Sequence, residues 1–118
     1  MTSRQKGHKY KAQPTVVDGV RFASKKESRR YLELKLLEKA KAIDSLELQP
    51  SFDLVVPSHV EAQGLVKIGR YRADFRYWDN ERKRHVIEDV KSAGTKTTAY
   101  RLRKRMVEAI YGIDISEV

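Results

Sequence analysis

The sequence predicts an α/β fold with the element order helix, strand, strand, strand, helix, strand, preceded by a small N-terminal hairpin. Three observations carry this. Segments of alternating apolar and polar residues recur at Leu46–Val56, Tyr71–Tyr77 and His85–Lys91, the period of a strand whose side chains point to opposite faces in turn. Two longer stretches carry helical spacing and end signals, Ser24 before the first and Gly112 after the second. The 118 residues, 40% of them hydrophobic, suffice for one domain with a modest core.

In chain order, residues 1–14 read as a flexible basic arm and 15–118 as the folded domain. The arm carries Arg4, Lys6, Lys9 and Lys11 without an acid and ends at Pro14. Val16-Val17 and Val20–Phe22 flank Asp18-Gly19, a tight-turn pair in which glycine tolerates positive φ. Ser24 with Glu27 three residues on forms a capping box, so a helix is expected over about Lys25–Lys41. Leu32, Leu36, Ala40 and Ile43 follow helical spacing, and Tyr31, Leu34 and Leu37 widen the apolar face. Glu33 can meet Arg29 or Arg30, and Glu38 can meet Lys35 or Lys41.

Leu46 and Leu48, then Phe52, Leu54 and Val56, alternate around Pro50, giving two short strands or one bent strand broken where proline cannot donate to a ladder. Gln49 reads as a turn residue. Ser58 to Gly69 reads as a loop in which Leu65, Val66 and Ile68 can add a short strand. The central hairpin joins Tyr71–Tyr77 to His85–Lys91 through the polar turn Asp79–Arg84. After Ser92-Ala93-Gly94 a second helix is expected over about Thr97–Tyr111, with Tyr100, Met106, Val107, Ile110 and Tyr111 supplying apolar contacts and Gly112 as its C′ residue. Ile113, Ile115 and Val118 suggest a last short strand.

Composition narrows the function classes. No stretch approaches the ~20 apolar residues of a membrane-spanning helix, no apolar segment follows the basic N-terminus as in a secretory signal, and no membrane partner is expected. Cysteine is absent, which excludes disulfides and thiolate zinc sites and fits a reducing cytoplasm. His8, His59 and His85 lack ligand spacing. With 25 Lys+Arg against 16 Asp+Glu the formal charge is +9, which favours a polyanionic partner. Its distribution points the same way: Lys91, Lys96, Arg101, Arg103, Lys104 and Arg105 run without an acid, whereas most acids lie in Glu27–Asp53 and Asp74–Asp89.

The chemistry is expected at the central hairpin. In the first strand Tyr71, Ala73, Phe75 and Tyr77 share one face, and Arg72, Asp74 and Arg76 the other. In the second, Val86, Glu88 and Val90 share one face, and Ile87, Asp89 and Lys91 the other. Pairing then brings Asp74, Asp89 and Lys91 to one side. Two carboxylates beside an ammonium suit a hard divalent cation and an attacking water, with Lys91 orienting or deprotonating that water or offsetting negative charge. A solvated hairpin with an ion pair between its strands is the plain alternative.

Asp74 followed by Asp89-Val90-Lys91 resembles the signature of the PD-(D/E)XK nuclease superfamily, with Ala73 standing where its proline often stands. The blocks VDGVRFASKKESRRYLELKLLEKA, LELQPSFDL, YRADFRYWD and IEDVKS also resemble a family of small phage and prophage proteins similar to archaeal-type Holliday-junction resolvases. The resemblance covers about Val17 to the C-terminus. It implies a restriction-endonuclease-like αβββαβ core with a mixed central sheet flanked by helices. It also implies a homodimer that cuts four-way DNA junctions with Mg²⁺ (or Mn²⁺) during recombination, in the cytoplasm of a bacterial host if the chain is phage-derived. By position Asp74 and Asp89 would be metal ligands, Lys91 the catalytic lysine and Glu27 the helix acid, although Glu27 has a sufficient role as a capping-box residue. Glu88 falls on the other face and is left out of the site. Arg72 and Arg76 would contact phosphate or neutralise the acids. Lys96, Arg101, Lys104 and Arg105 would hold the DNA backbone or form a solvated helix face. Within the same core, another DNA substrate or a non-catalytic DNA-binding role stands as the alternative.

Overall fold

The structure, a computed structural model, describes residues 13–60, 64–92 and 94–118. Most of the basic arm and Ala93 therefore lie outside the described residues. The elements are β1 (Thr15–Val17), β2 (Val20–Phe22), α1 (Lys25–Lys39), β3 (Ile43–Leu48), β4 (Ser51–Pro57), β5 (Leu65–Arg72), β6 (Phe75–Asp79), β7 (Arg84–Asp89), α2 (Thr98–Tyr111) and β8 (Ile115–Glu117).

The chain is a mixed α/β domain. A four-stranded sheet in the order β3-β6-β7-β8 has antiparallel β3/β6 and β6/β7 pairs and a parallel β7/β8 pair. Helix α2 makes the crossover between the parallel strands, which cannot be joined by a tight turn. β4 and β5 form a separate antiparallel ribbon. The two cores are distinct. Phe22, Tyr31, Leu34, Ile43, Phe75 and Tyr77 pack with α1 and the first hairpin. Phe52, Leu54, Tyr71, Ala73, Ile87, Tyr100, Val107 and Ile115 pack with α2 and the ribbon.

Local signals set most boundaries. Asp18 (φ 53°) and Gly19 (φ 75°) both take positive φ between β1 and β2, the requirement of a type I′ turn. Ser24 Oγ accepts the Glu27 amide at 3.1 Å and caps α1. The helix ends at Lys39, two residues before the expected Lys41, which itself has φ 65°. Thr97 caps α2 by accepting the Tyr100 amide, and Gly112 closes it in the left-handed region at φ 65°. The Leu65–Ile68 stretch is the first half of an eight-residue strand rather than part of a loop.

Two facial assignments are corrected. The buried face of α1 is Glu27, Ser28, Tyr31 and Leu34, whereas Leu32 and Leu36 are 44% and 68% exposed. The stripe toward the sheet thus includes polar residues with their own partners, and leucine count misdirects. Tyr71–Tyr77 is not one unbroken strand either. Tyr71 and Ala73 face the α2 core, while Phe75 and Tyr77 face the α1 core. The chain corners at Asp74. The Ala73 amide bonds Pro50 O on one side, the Asp74 amide turns to Glu88 O, and Asp74 O accepts the Gln49 amide. Gln49 sits opposite at φ 54°, next to the buried Pro50. β3–β4 and β5–β6 are therefore one long ribbon bent at a shared corner.

Candidate active site

The corner at Asp74 places the acids. Having left the β5 ladder, Asp74 lends its carboxylate to the ladder instead: Oδ2 accepts the Val90 amide at 2.7 Å. Asp89, the last residue of β7, is 2% exposed, and its carboxylate accepts the Tyr71 hydroxyl. The parallel pairing with β8 runs on past it, with Val118 N donating to Asp89 O at 2.9 Å and Lys91 N to Val118 O at 3.1 Å. Glu27 reaches the same place from the first turn of α1, where it is 7% exposed. Its carboxyl lies in hydrogen-bonding reach of Asp74.

Electrostatics follow from this crowding. Burial, then the charge and hydrogen bond of Asp74, push the Glu27 carboxyl up to about 7. Burial also raises Asp89, to about 6, against the opposing pull of Lys91. Asp74 is raised by burial too, with the Val90 amide and Lys91 holding it down. Each of the two carboxyls, Glu27 and Asp74, is thus less acidic than its free counterpart, chiefly through burial. The Lys91 ammonium stands 4.2 Å from the centre of the Tyr100 ring, a cation–π contact. Tyr100 donates in turn to Glu117 at 2.9 Å.

Glu27, Asp74, Asp89 and Lys91 thus lie close enough for their charges to act on one another: Asp74 and Asp89 on Glu27, and Lys91 on both aspartates. Among the described residues no three acidic or histidine side chains are drawn together as a ready-made ligating group. The donor set is all carboxylate oxygen, and burial is the main reason its members hold protons more tightly than free acids. Such a set suits Mg²⁺ or Mn²⁺ rather than a soft metal.

Glu88 points to the face of β7 opposite that of Asp89 and is 2% exposed. Arg30 grips it with two bonds, Nε at 2.8 Å and a terminal nitrogen at 2.6 Å, and Tyr77 donates at 2.5 Å. Arg30 is one turn beyond Glu27 and Glu88 adjoins Asp89, so this clamp fixes the helix acid against the strand acid. Sequence reading missed it, together with Tyr71, Tyr100 and Glu117. The available signal for the clamp was an arginine one turn after Glu27 on a helix and an acid opposite Phe75 in the β6–β7 ladder.

Comparison with known proteins places the chain without assigning its chemistry. Residues 7–115 match a family described as "Protein of unknown function (DUF1064)". The chain belongs to that family. No curated protein and no solved structure matches it.

The cations expected to hold DNA divide into two groups in this DUF1064 member. Lys96 pairs with Glu117 at 2.9 Å, and Lys104 with Glu117 at 3.6 Å and Glu108 at 3.9 Å. Their company holds Glu117 down at about 2. Arg76 is tied to Glu47 at 2.5 Å, an acid outside the proposed site, and its guanidinium lies 5.9 Å from the Phe52 ring centre. Arg72, Arg101 and Arg105 are exposed, with no ion pair among the described residues. The basic α2 surface is therefore partly consumed by β8, and Arg101, Arg103 and Arg105 are its open part. No helix among the described residues is long and apolar enough to cross a membrane.

Proposed function

We propose that this chain is a metal-dependent DNA endonuclease of PD-(D/E)XK type, acting on branched DNA as a Holliday-junction resolvase. The observation that carries the reading is the placing of Asp74, Asp89 and Lys91 with the helix acid Glu27 around the strand corner, where burial raises the Glu27 and Asp89 carboxyls. The element order α1, β3, β6, β7, α2, β8 supports it, because the β4–β5 ribbon is an excursion from an αβββαβ core. The net charge of +9 and the exposed Arg72, Arg101 and Arg105 supply attraction to phosphate.

The reaction is hydrolysis: a water oxygen forms a new P–O bond and one ester P–O bond breaks. Asp74 and Asp89 would hold the metal, which when bound supplies an acidified water and stabilises phosphoryl charge. Lys91, braced on Tyr100, places a positive charge beside the reacting phosphate. Glu27 adds a third carboxyl that can keep or release a proton near neutral pH. A two-fold dimer would set two such sites on opposing strands of a junction.

The test uses labelled four-way junction, duplex and single strand, with Mg²⁺ and with chelator. Paired nicks in the junction alone, dependent on metal, are expected. Equal cutting of all three would keep the nuclease and remove the resolvase. Binding without cutting would leave a DNA-binding module. Asp89→Asn should abolish cleavage and retain binding, and normal cleavage by it would sink the site assignment.

A further inference from the structure

Beside the acid cluster lies a second feature, a cleft lined by Lys26, Arg29, Arg30, Glu33, Val90 and Val118. We propose that it binds one sugar–phosphate unit of the DNA strand, next to the phosphate at the acids. The proposal rests on the reading of the chain as a DNA-acting protein but concerns residues outside the acid site. The cleft and the acids share their walls. Lys26 precedes Glu27, and its ammonium donates to the backbone carbonyl of Lys91. Val90 lies between Asp89 and Lys91 and gives its amide to Asp74. Val118 is bonded through its backbone to Asp89 and Lys91. A strand passing over the acids therefore meets this cleft as its immediate neighbour.

The lining suits a backbone unit. Three cations face a single acid. Arg30 is already occupied by Glu88 and Glu33, so it forms a fixed wall. The exposed Arg29, and Lys26 with the N–H groups that its bond to Lys91 O leaves over, are the side chains able to close on a phosphate. Val90 and Val118 form an apolar floor against which a sugar can rest. At about 210 Å³, the cleft falls short of the roughly 300–1,000 Å³ that hold a drug-sized ligand. A whole nucleotide with its base would not be enclosed, whereas a sugar–phosphate fits. Recognition of this kind holds the strand in register without reading its sequence.

The test is DNA binding in chelator, where cleavage plays no part, measured across a salt series. The double variant Lys26→Gln/Arg29→Gln should weaken binding and flatten the dependence of log K on log salt by about 1, the loss of roughly one phosphate contact. Glu33→Gln removes the one acid of the rim and should tighten binding. Lys35→Gln/Lys39→Gln, further along the same helix, should leave the slope unchanged. An unaltered slope in the first variant, or an equal change in the last, would overturn the cleft as a site. These results stand whether or not the protein cuts DNA, because failure of the nuclease reading appears only in the metal-dependent cleavage assay.

Discussion

Replacing Glu27 with glutamine should make the metal-free protein more stable at pH 8, although it removes a residue of the proposed active site. Glu27 is 7% exposed and its carboxyl is displaced from 4.5 to about 7 by burial and by Asp74. An acid held above its unfolded value binds its proton more tightly in the folded state. Below about pH 4.5 both states are protonated and nothing is lost. As pH rises from there to about 7 the unfolded chain releases the proton first, so stability falls across that window and levels off above it. At about 1.4 kcal/mol per pH unit, the loss attributable to Glu27 is about 3 kcal/mol. Glutamine keeps the length and a donor for Asp74 but carries no charge, so most of this should be recovered, raising the Tm on the order of 5–10 °C for a chain of this size.

The assay is thermal unfolding in chelator from pH 5 to 8. The parent should lose stability over this range, with Asp89, raised to about 6, adding to the fall. Glu27→Gln should lose less. Mg²⁺ should raise the Tm of the parent chiefly at high pH, where the carboxylates are charged, and that of the variant by a smaller amount. A Glu27→Gln protein less stable than its parent at pH 8 in chelator would refute the reasoning. It would mean that the capping position, and not a strained acid pair, decides the contribution of this residue.

Two further outcomes follow from the packing. Glu88→Gln leaves Arg30 facing a neutral amide in a buried setting and should cost about 3 kcal/mol in urea unfolding, with cleavage lowered and DNA binding kept; parent-like stability would show that the clamp carries no weight. Gly112→Ala should cost about 1 kcal/mol from the left-handed φ alone, since a Cβ there meets nothing within 4 Å, and a loss several times larger would point to a contact beyond the α2 cap.

The features legible in the sequence were those decided within a few residues. Asp18-Gly19, Ser24 with Glu27, and Gly112 each announce a backbone conformation whose cause is their own side chain or its lack. Pro50 likewise marks a break. What escaped was decided by partners distant in the chain. The change of face at Asp74 needs Pro50 O to take the Ala73 amide and Glu88 O to take the next one, and no period-two count over Tyr71–Tyr77 contains that information. The α1 stripe was misjudged for a related reason: Leu32 and Leu36 outrank Glu27 and Ser28 in hydrophobicity, yet the polar pair is buried. Ser28 is satisfied by Lys25 O at 2.8 Å, and Glu27 by its neighbours at the site.

The same corner explains why the acids are where they are. In a regular ladder Asp74 would direct its backbone to one neighbour on each side and its carboxylate outward. Its amide and carbonyl do reach one neighbour on each side, Glu88 and Gln49, but its carboxylate takes the Val90 amide, one residue beyond Asp89 and one before Lys91. The bend in the ribbon thus converts a register position into a junction of three elements: the β5–β6 strand, the end of β7 and the first turn of α1. Glu27 and Asp89 approach there because Arg30 and Glu88, each near one of them in sequence, are locked together on the α1 side of the sheet. The clamp thus holds the first turn of α1 against the end of β7, and with it Glu27 close enough to Asp74 and Asp89 for their charges to act on it.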